Sequence, residues 1–238
     1  MKLSPTLLLV FSFSLLLSCS SRQDNQSDNR FSEDRSLDGV SRLKISGVFN
    51  LNLQQSDQES LSMDGSPEIA EKLKITQEGD LLILELEEFN SGLFDNNELK
   101  VNLSISDLRE FEFEGVGNIK TTGNFQLETI RIKGEGIGNL ALEIEAKEID
   151  AELNMMGNMS LRGKADYMKL KNEGIGNIDA SNLIAQKLDL FSSGIGKVDV
   201  HCEGELSLEV SGIGAVSYTG NPTVIKDEVS GIGKVNRN

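Results

Sequence analysis

The chain of 238 residues carries few side chains capable of chemistry, and its one histidine, His201, stands beside Cys202. Such a pair could supply a thiolate and its base, or half of a zinc centre. Strand alternation separates them: the inward parity runs Val198, Val200, Cys202, so Cys202 is expected in the core as a small apolar group and His201 in solvent. There is no other His and no Cys-x-x-Cys, so a zinc centre lacks ligands. Carboxylates are the remaining reagents. Asp179 and Asp199 fall at one offset from a recurring glycine phrase, and Glu114 and Glu135 at another. Stacked coils would bring each pair within roughly 5 Å, the separation that retaining glycosidases use, and acidic pairs also suit calcium. An acidic outward face produces the same pattern by default. Exposed carboxylates keep acid-range pKa values, so neither member would be a general acid at neutral pH. Trp is absent, and after the first phrase the only aromatics are Phe125, Tyr167, Phe191 and Tyr218, a poor supply of sugar platforms. The glycines could cradle phosphate only ahead of a helix N-terminus, and no helix follows them. No catalytic residue, metal or cofactor is expected.

The elements that position these residues are repeats. The phrase occurs as Gly115-Val116-Gly117-Asn118, Gly136-Ile137-Gly138-Asn139, Met155-Met156-Gly157-Asn158, Gly174-Ile175-Gly176-Asn177, Gly194-Ile195-Gly196-Lys197, Gly212-Ile213-Gly214-Ala215 and Gly231-Ile232-Gly233-Lys234. A period near 20 residues marks a solenoid whose coils stack on one another. Apolar residues recur at steps of two before each phrase and again from Ile119, Leu140, Met159, Ile178, Val198, Val216 and Val235. Steps of two are strands with one buried face. From Val210 to Ile213 and from Ile213 to Val216 the apolar spacing is three, which predicts a bend at the glycines with the phrase's second residue pointing inward. The expected fold is all-β: a parallel β-solenoid of about seven rungs of ~19 residues, with rungs about 4.8 Å apart. Asn118, Asn139, Asn158 and Asn177 are expected to stack into an amide ladder that stops where Lys197, Ala215 and Lys234 take over.

The chain starts with a short basic segment and an apolar run, Leu7 to Leu17, too short for a membrane anchor, so residues 1–18 read as a signal peptide. Leu16-Leu17-Ser18-Cys19 resembles the bacterial lipobox, which implies a lipid on Cys19 and a cell-envelope, outer-membrane lipoprotein. Cys202 is then left without a partner. Residues 19–37 read as a solvated tether. The net charge of −15 argues against nucleic acid and anionic headgroups as partners, leaving the lipid anchor as the membrane contact.

No repeat is visible from residue 38 to 108. Alternation at Leu43/Ile45 and Leu51/Leu53 predicts strands, and Ser66-Pro67-Glu68 opens one or two helical turns over Glu68 to Leu73. Residues 38–108 are expected to cap the solenoid of residues 109–238, with the acidic Glu85 to Leu99 segment covering its first rung. The phrase, the acidic or Ser residue before it and Val216-Ser-Tyr-Thr-Gly-Asn-Pro222 together resemble the bacterial autotransporter-adhesin head, or GIN, domain. Leu81-Leu-Ile-Leu-Glu-Leu86 and Leu99 to Ile105 add to the likeness, which covers residues 38 to 238. The resemblance implies a right-handed parallel β-helix on a secreted or lipid-anchored protein, with no catalytic residue to carry over. The function expected is a non-enzymatic binding module for a protein or glycan. The alternatives are a carbohydrate-active enzyme working through the stacked carboxylates, or a structural envelope accessory.

Overall fold

The computed structural model describes residues 31–86 and 99–237. Strands β1 (Phe31–Ser36), β2 (Arg42–Gln55) and β3 (Ser60–Gly65) precede a single helical turn, α1 (Pro67–Ala70). Then come β4 (Leu73–Glu78), β5 (Leu81–Leu86), β6 (Lys100–Ile105), β7 (Glu110–Thr122) and β8 (Phe125–Asn172). The last five are β9 (Ile175–Ser192), β10 (Ile195–Val210), β11 (Ile213–Thr219), β12 (Thr223–Val229) and β13 (Ile232–Arg237).

The long strands wind as stacked parallel coils, as the ~20-residue period requires. β7 lies parallel to β8, β8 to β9, β9 to β10, and β10 to β11 and β12; β13 closes on β11. Apolar side chains at alternate places form columns down the interior. One runs Leu43, Phe111, Ile132, Ala151, Leu170, Leu190, Leu208, and another Ile119, Leu140, Met159, Ile178, Val198, Val216, every member buried. Burial of one such Leu or Ile stabilises by about 1.5–3 kcal/mol, so the columns hold the stack together. Outward columns carry charge in alternation. Arg42, Glu110, Arg131, Asp150, Lys169 and Asp189 follow one another from coil to coil, and Lys44 pairs with Glu112 beside them. Opposite charges on neighbouring strands stabilise the pairing and like charges oppose it, so the columns favour this order of coils.

The phrase is a steric device. A Cβ on Gly138 would lie 1.7 Å from the carbonyl oxygen of Gly117, and one on Gly176 1.8 Å from that of Gly157. The same collision recurs at Gly117, Gly157, Gly196 and Gly214, and φ at all six is positive. Any side chain here would drive into the backbone of the coil before it, at a φ that L-residues rarely adopt.

Several expectations are corrected. The phrase's second residue points out, not in: Val48, Ile137, Met156, Ile175, Ile195, Ile213 and Ile232 are exposed and Val116 is half-buried. The buried places on either side of the phrase are an even number of residues apart, as at Val210, Gly212 and Val216, while the third-place glycine turns the position of its missing Cβ toward the coil before; the apparent step of three joined residues on opposite faces. A further copy, Gly47-Val48-Phe49-Asn50, lies in residue-for-residue register with Gly115 to Asn118, so residues 38–108 contain a coil. It is disguised because Phe49 replaces the second glycine and because chain order departs from stacking order. β5 and β6 stack on the outer side of β2, after which the chain crosses to β7 on its other side. The helix is the single turn within the one or two expected, and it ends at Ala70 and not at Leu73, because Leu73 already opens β4; Ser66 caps it by accepting from the Ile69 N–H. The end of the supposed tether, Phe31–Ser36, is a strand antiparallel to β3, held by backbone pairing that its polar composition does not betray. The signal segment and Cys19 lie outside the described residues, as does most of the Glu85–Leu99 segment.

Candidate functional site

Two faces of the solenoid differ in chemistry. On the phrase edge, the exposed apolar residues form a ridge parallel to the stack, with Ile137 51% and Ile232 79% exposed. Two residues on lies the amide column. Asn118 donates to Asn50 at 2.9 Å, Asn139 to Asn118 at 2.8 Å and Asn177 to Asn158 at 3.2 Å. Asn118, Asn139 and Asn177 thus each spend a donor along the axis, which stiffens the edge and leaves fewer groups free for a ligand.

On the far side, a shallow groove of about 730 Å³ crosses successive coils and is lined by Gln126, Glu128, Glu145, Lys147, Lys164 and Asp166 among others. Lys147 meets Glu128 at 2.5 Å, and this hydrogen bond, then its charge, raises the Lys147 pKa. The groove therefore presents both charge signs and amides on rigid strands, a surface suited to hydroxyls, amides or opposite charges. Nearby in the stack, the Tyr167 hydroxyl donates to Asp189 at 2.7 Å, which with burial pushes its pKa up to about 12. That phenol stays protonated and acts as a structural donor.

The carboxylate pairs that could have carried catalysis occupy adjacent coils: Asp179 aligns with Asp199 and Glu114 with Glu135. Three of the four have other engagements. Asp179 accepts from the Ser181 hydroxyl at 2.6 Å and the Ser181 N–H at 3.1 Å, and these bonds hold its carboxyl below the usual range. Asp199 meets Lys197 at 2.7 Å and Glu135 meets Lys133 at 2.9 Å. The Asp179 carboxyl, held ionised by Ser181, cannot donate the proton that glycoside cleavage needs. Cys202 is fully buried, and desolvation raises its thiol pKa. His201 is half-buried and bonds Thr219 at 2.9 Å and Glu203 at 2.8 Å. The two ring nitrogens are thus occupied away from the thiol. Among the described residues no three His, Cys, Asp or Glu side chains converge on a point, and no helix is long and apolar enough to cross a membrane.

The ridge was missed in the sequence, although the signal was there. Parity counted through the phrase from Val210 by twos reaches Gly212, Gly214 and Val216, and leaves Ile213 on the outside.

Stacked parallel coils with a glycine-lined edge define a parallel β-solenoid. The chain belongs to the family described as "Putative auto-transporter adhesin, head GIN domain", whose model matches residues 40–222. Its fold is similar to the crystal structure of a "putative adhesin" from Bacteroides fragilis, at 23% identity and TM-score 0.80, covering 89% of this chain and 98% of that one. It is also similar to a "putative lipid binding protein" from Parabacteroides distasonis, at 20% identity and TM-score 0.66, covering 89% and 98%. A "putative adhesin" from Parabacteroides merdae matches at 17% identity and TM-score 0.61, covering 89% and 97%. None of the curated proteins matches the chain.

Proposed function

We propose that this protein is a lipid-anchored, non-enzymatic binding module of the bacterial cell envelope, which uses its far-side groove to hold a polar protein or glycan ligand. The observation that carries the reading is the groove itself. It is wide, open and shallow, lined by both charge signs, and built on stacked strands that need no rearrangement to bind. Adhesion-type recognition needs such an extended polar surface, whereas glycoside cleavage needs a protonated acid in a cleft. Asp179, held ionised by Ser181, does not supply one. The anchor rests on the Leu-x-Ser-Cys19 sequence, and the outer-membrane location follows from that anchor.

The test for binding is a glycan and envelope-protein array probed with the wild type and with a Lys147→Glu/Lys164→Glu variant. Ligands retained by the wild type and lost by the variant are expected. Binding unaffected by both charge reversals would sink the groove as the site. For the anchor, Cys19→Ser should leave the protein in the soluble fraction or with its signal segment uncleaved. Wild-type levels of processed, membrane-bound protein in that variant would contradict it.

A further inference from the structure

The ridge is a liability for a protein left alone in water. Its side chains stand about 4.8 Å apart, giving an apolar row on the order of 34 Å long. Seven of them remain exposed, from Val48 to Ile232. Soluble monomers rarely expose contiguous apolar surface of several hundred Å². Ridge and flanking columns together offer a footprint on the order of 700 Å², close to the ~800 Å² per partner of a standard interface. Glycines flank six of the eight ridge residues on both sides, and Val48 and Met156 on one, so an opposing surface can approach the ridge closely.

The flanks say which partner fits. Toward the first coils the column before the ridge carries Glu114, Glu135 and Glu173; toward the last coils it carries Ser193, Ser211 and Ser230. The column after the ridge is Asn through Asn177 and then includes Lys197 and Lys234. The edge is acidic at one end and basic at the other, although Lys133, Lys171 and Asp199 moderate the contrast within single coils. We infer that the ridge is the seam of a homodimer in which two copies pack ridge to ridge with their solenoid axes antiparallel. A two-fold axis between Met156 and Ile175 then sets Val48 against Ile232 of the second copy. Glu114 falls opposite Ser211, Glu135 opposite Ser193 and Glu173 opposite Asn154 of the same column, and each Lys opposite Asn. No like charges are opposed, and the acidic half of one copy lies over the basic half of the other. A parallel pair would instead gather six flanking glutamates at one end, which costs affinity. The pairing leaves the far-side groove open on both copies, so it is independent of the ligand proposed there.

Cysteine cross-linking in producing cells, with the full chain and a short bis-maleimide, reads both the contact and its direction. Met156→Cys alone and Ile175→Cys alone should each give a dimer-sized species. Co-expressed Val48→Cys and Ile232→Cys should cross-link to one another, and Ile232→Cys alone should not. A cross-link in Ile232→Cys alone would show a parallel pair and overturn the inference. So would linkage of ridge cysteines to a protein of another mass, or to nothing. In the purified full chain, Ile137→Glu/Ile195→Glu should raise the dimer dissociation constant at least about 100-fold, because four carboxylates in two opposed Glu–Glu pairs would be buried at the seam. Circular dichroism should be unchanged. An unaltered dimer in this variant would also overturn it.

Discussion

The phrase edge and the far side of the same coils obey different rules. At the phrase, register runs residue for residue: Gly157 on Gly176, Gly176 on Gly196, Gly196 on Gly214, Gly214 on Gly233. Across the turns that follow, it slips between Ser160 and Arg162, between Val200 and His201, between Cys202 and Glu205 and between Leu206 and Ser207. The uneven spacing of the phrases is therefore absorbed away from the glycines. Where a Cβ would strike the carbonyl of the coil before, neither residue type nor chain length can vary. Where outward side chains meet only water, both can. The glycine constraint recurs in every coil at the phrase edge and only at single places on the far side, as at Gly163 on Ile144 and Gly204 on Gln186, so diversity of surface is left mainly to the far side.

The largest expected effect comes from breaking the fixed edge in mid-stack. Gly176→Val places a β-branched residue at φ +139°, with its Cβ 1.8 Å from Gly157 O, and should cost more than about 4 kcal/mol or abolish folding. At Gly233 the nearest atom is 2.8 Å away and the coil is exposed, so Gly233→Val should cost about 1 kcal/mol or less. Thermal unfolding compares the two. Single-residue insertions sharpen the contrast further. An Ala between Gly176 and Asn177 should unfold the protein by throwing every following column out of register, because one step reverses the parity of a strand. The same insertion between Asn182 and Leu183, beside an existing slip, should cost about 1–3 kcal/mol.

A smaller effect concerns the start of the stack, where Glu59 ties β2 to the crossing into β7. It accepts from the Val40 N–H at 3.0 Å, the Ser106 N–H at 3.2 Å and the Ser106 hydroxyl at 2.6 Å. Burial opposes its ionisation, but these bonds outweigh burial and hold its carboxyl below the usual range. A lowered folded pKa contributes stability that is complete above the unfolded value near 4.3 and is lost as pH falls through the folded one. The melting temperature should therefore drop between pH 5 and 3, and Glu59→Gln should remove part of that drop. An identical pH profile in the variant would count against the clamp. Smallest of all, Asn158→Ala should cost about 0.5–1.5 kcal/mol, since Asn177 loses its acceptor at an exposed site. A loss as large as that of Gly176→Val would mean the amide column, not the glycines, fixes the edge.

Much of this was legible in the sequence, because a solenoid repeats its constraints. The interior columns from Ile119 to Val216 and the parity separating His201 from Cys202 follow from spacing alone. What was not legible had physical reasons. The Gly47–Asn50 copy is hidden by Phe49 and by a detour in which β5 and β6 join the stack out of chain order, and only pairing reveals such a detour. β1 is an edge strand stabilised by backbone bonds, which leave no apolar alternation to read. The ridge was misassigned because hydrophobicity argues for burial, and an exposed row of Ile and Met defies that rule. The groove is a far-side feature, where register slips and spacing says little about shape.

The central claim is that contact with the neighbouring coil, beyond backbone conformation, makes the phrase glycines irreplaceable. Gly174 and Gly123 separate the two causes: Gly123 has φ +75° but its Cβ would meet nothing within 4 Å, whereas Gly174 has no positive φ and its Cβ would lie 2.1 Å from Met155 O. The decisive measurement is the unfolding free energy of Gly174→Ala beside that of Gly123→Ala in the same denaturant titration. Gly123→Ala should cost about 1–2 kcal/mol, the ordinary penalty for an L-residue in that region, and Gly174→Ala should lose at least twice as much. A loss at Gly174 no larger than that at Gly123 would show that contact with the neighbouring coil does not select glycine, and would contradict the account.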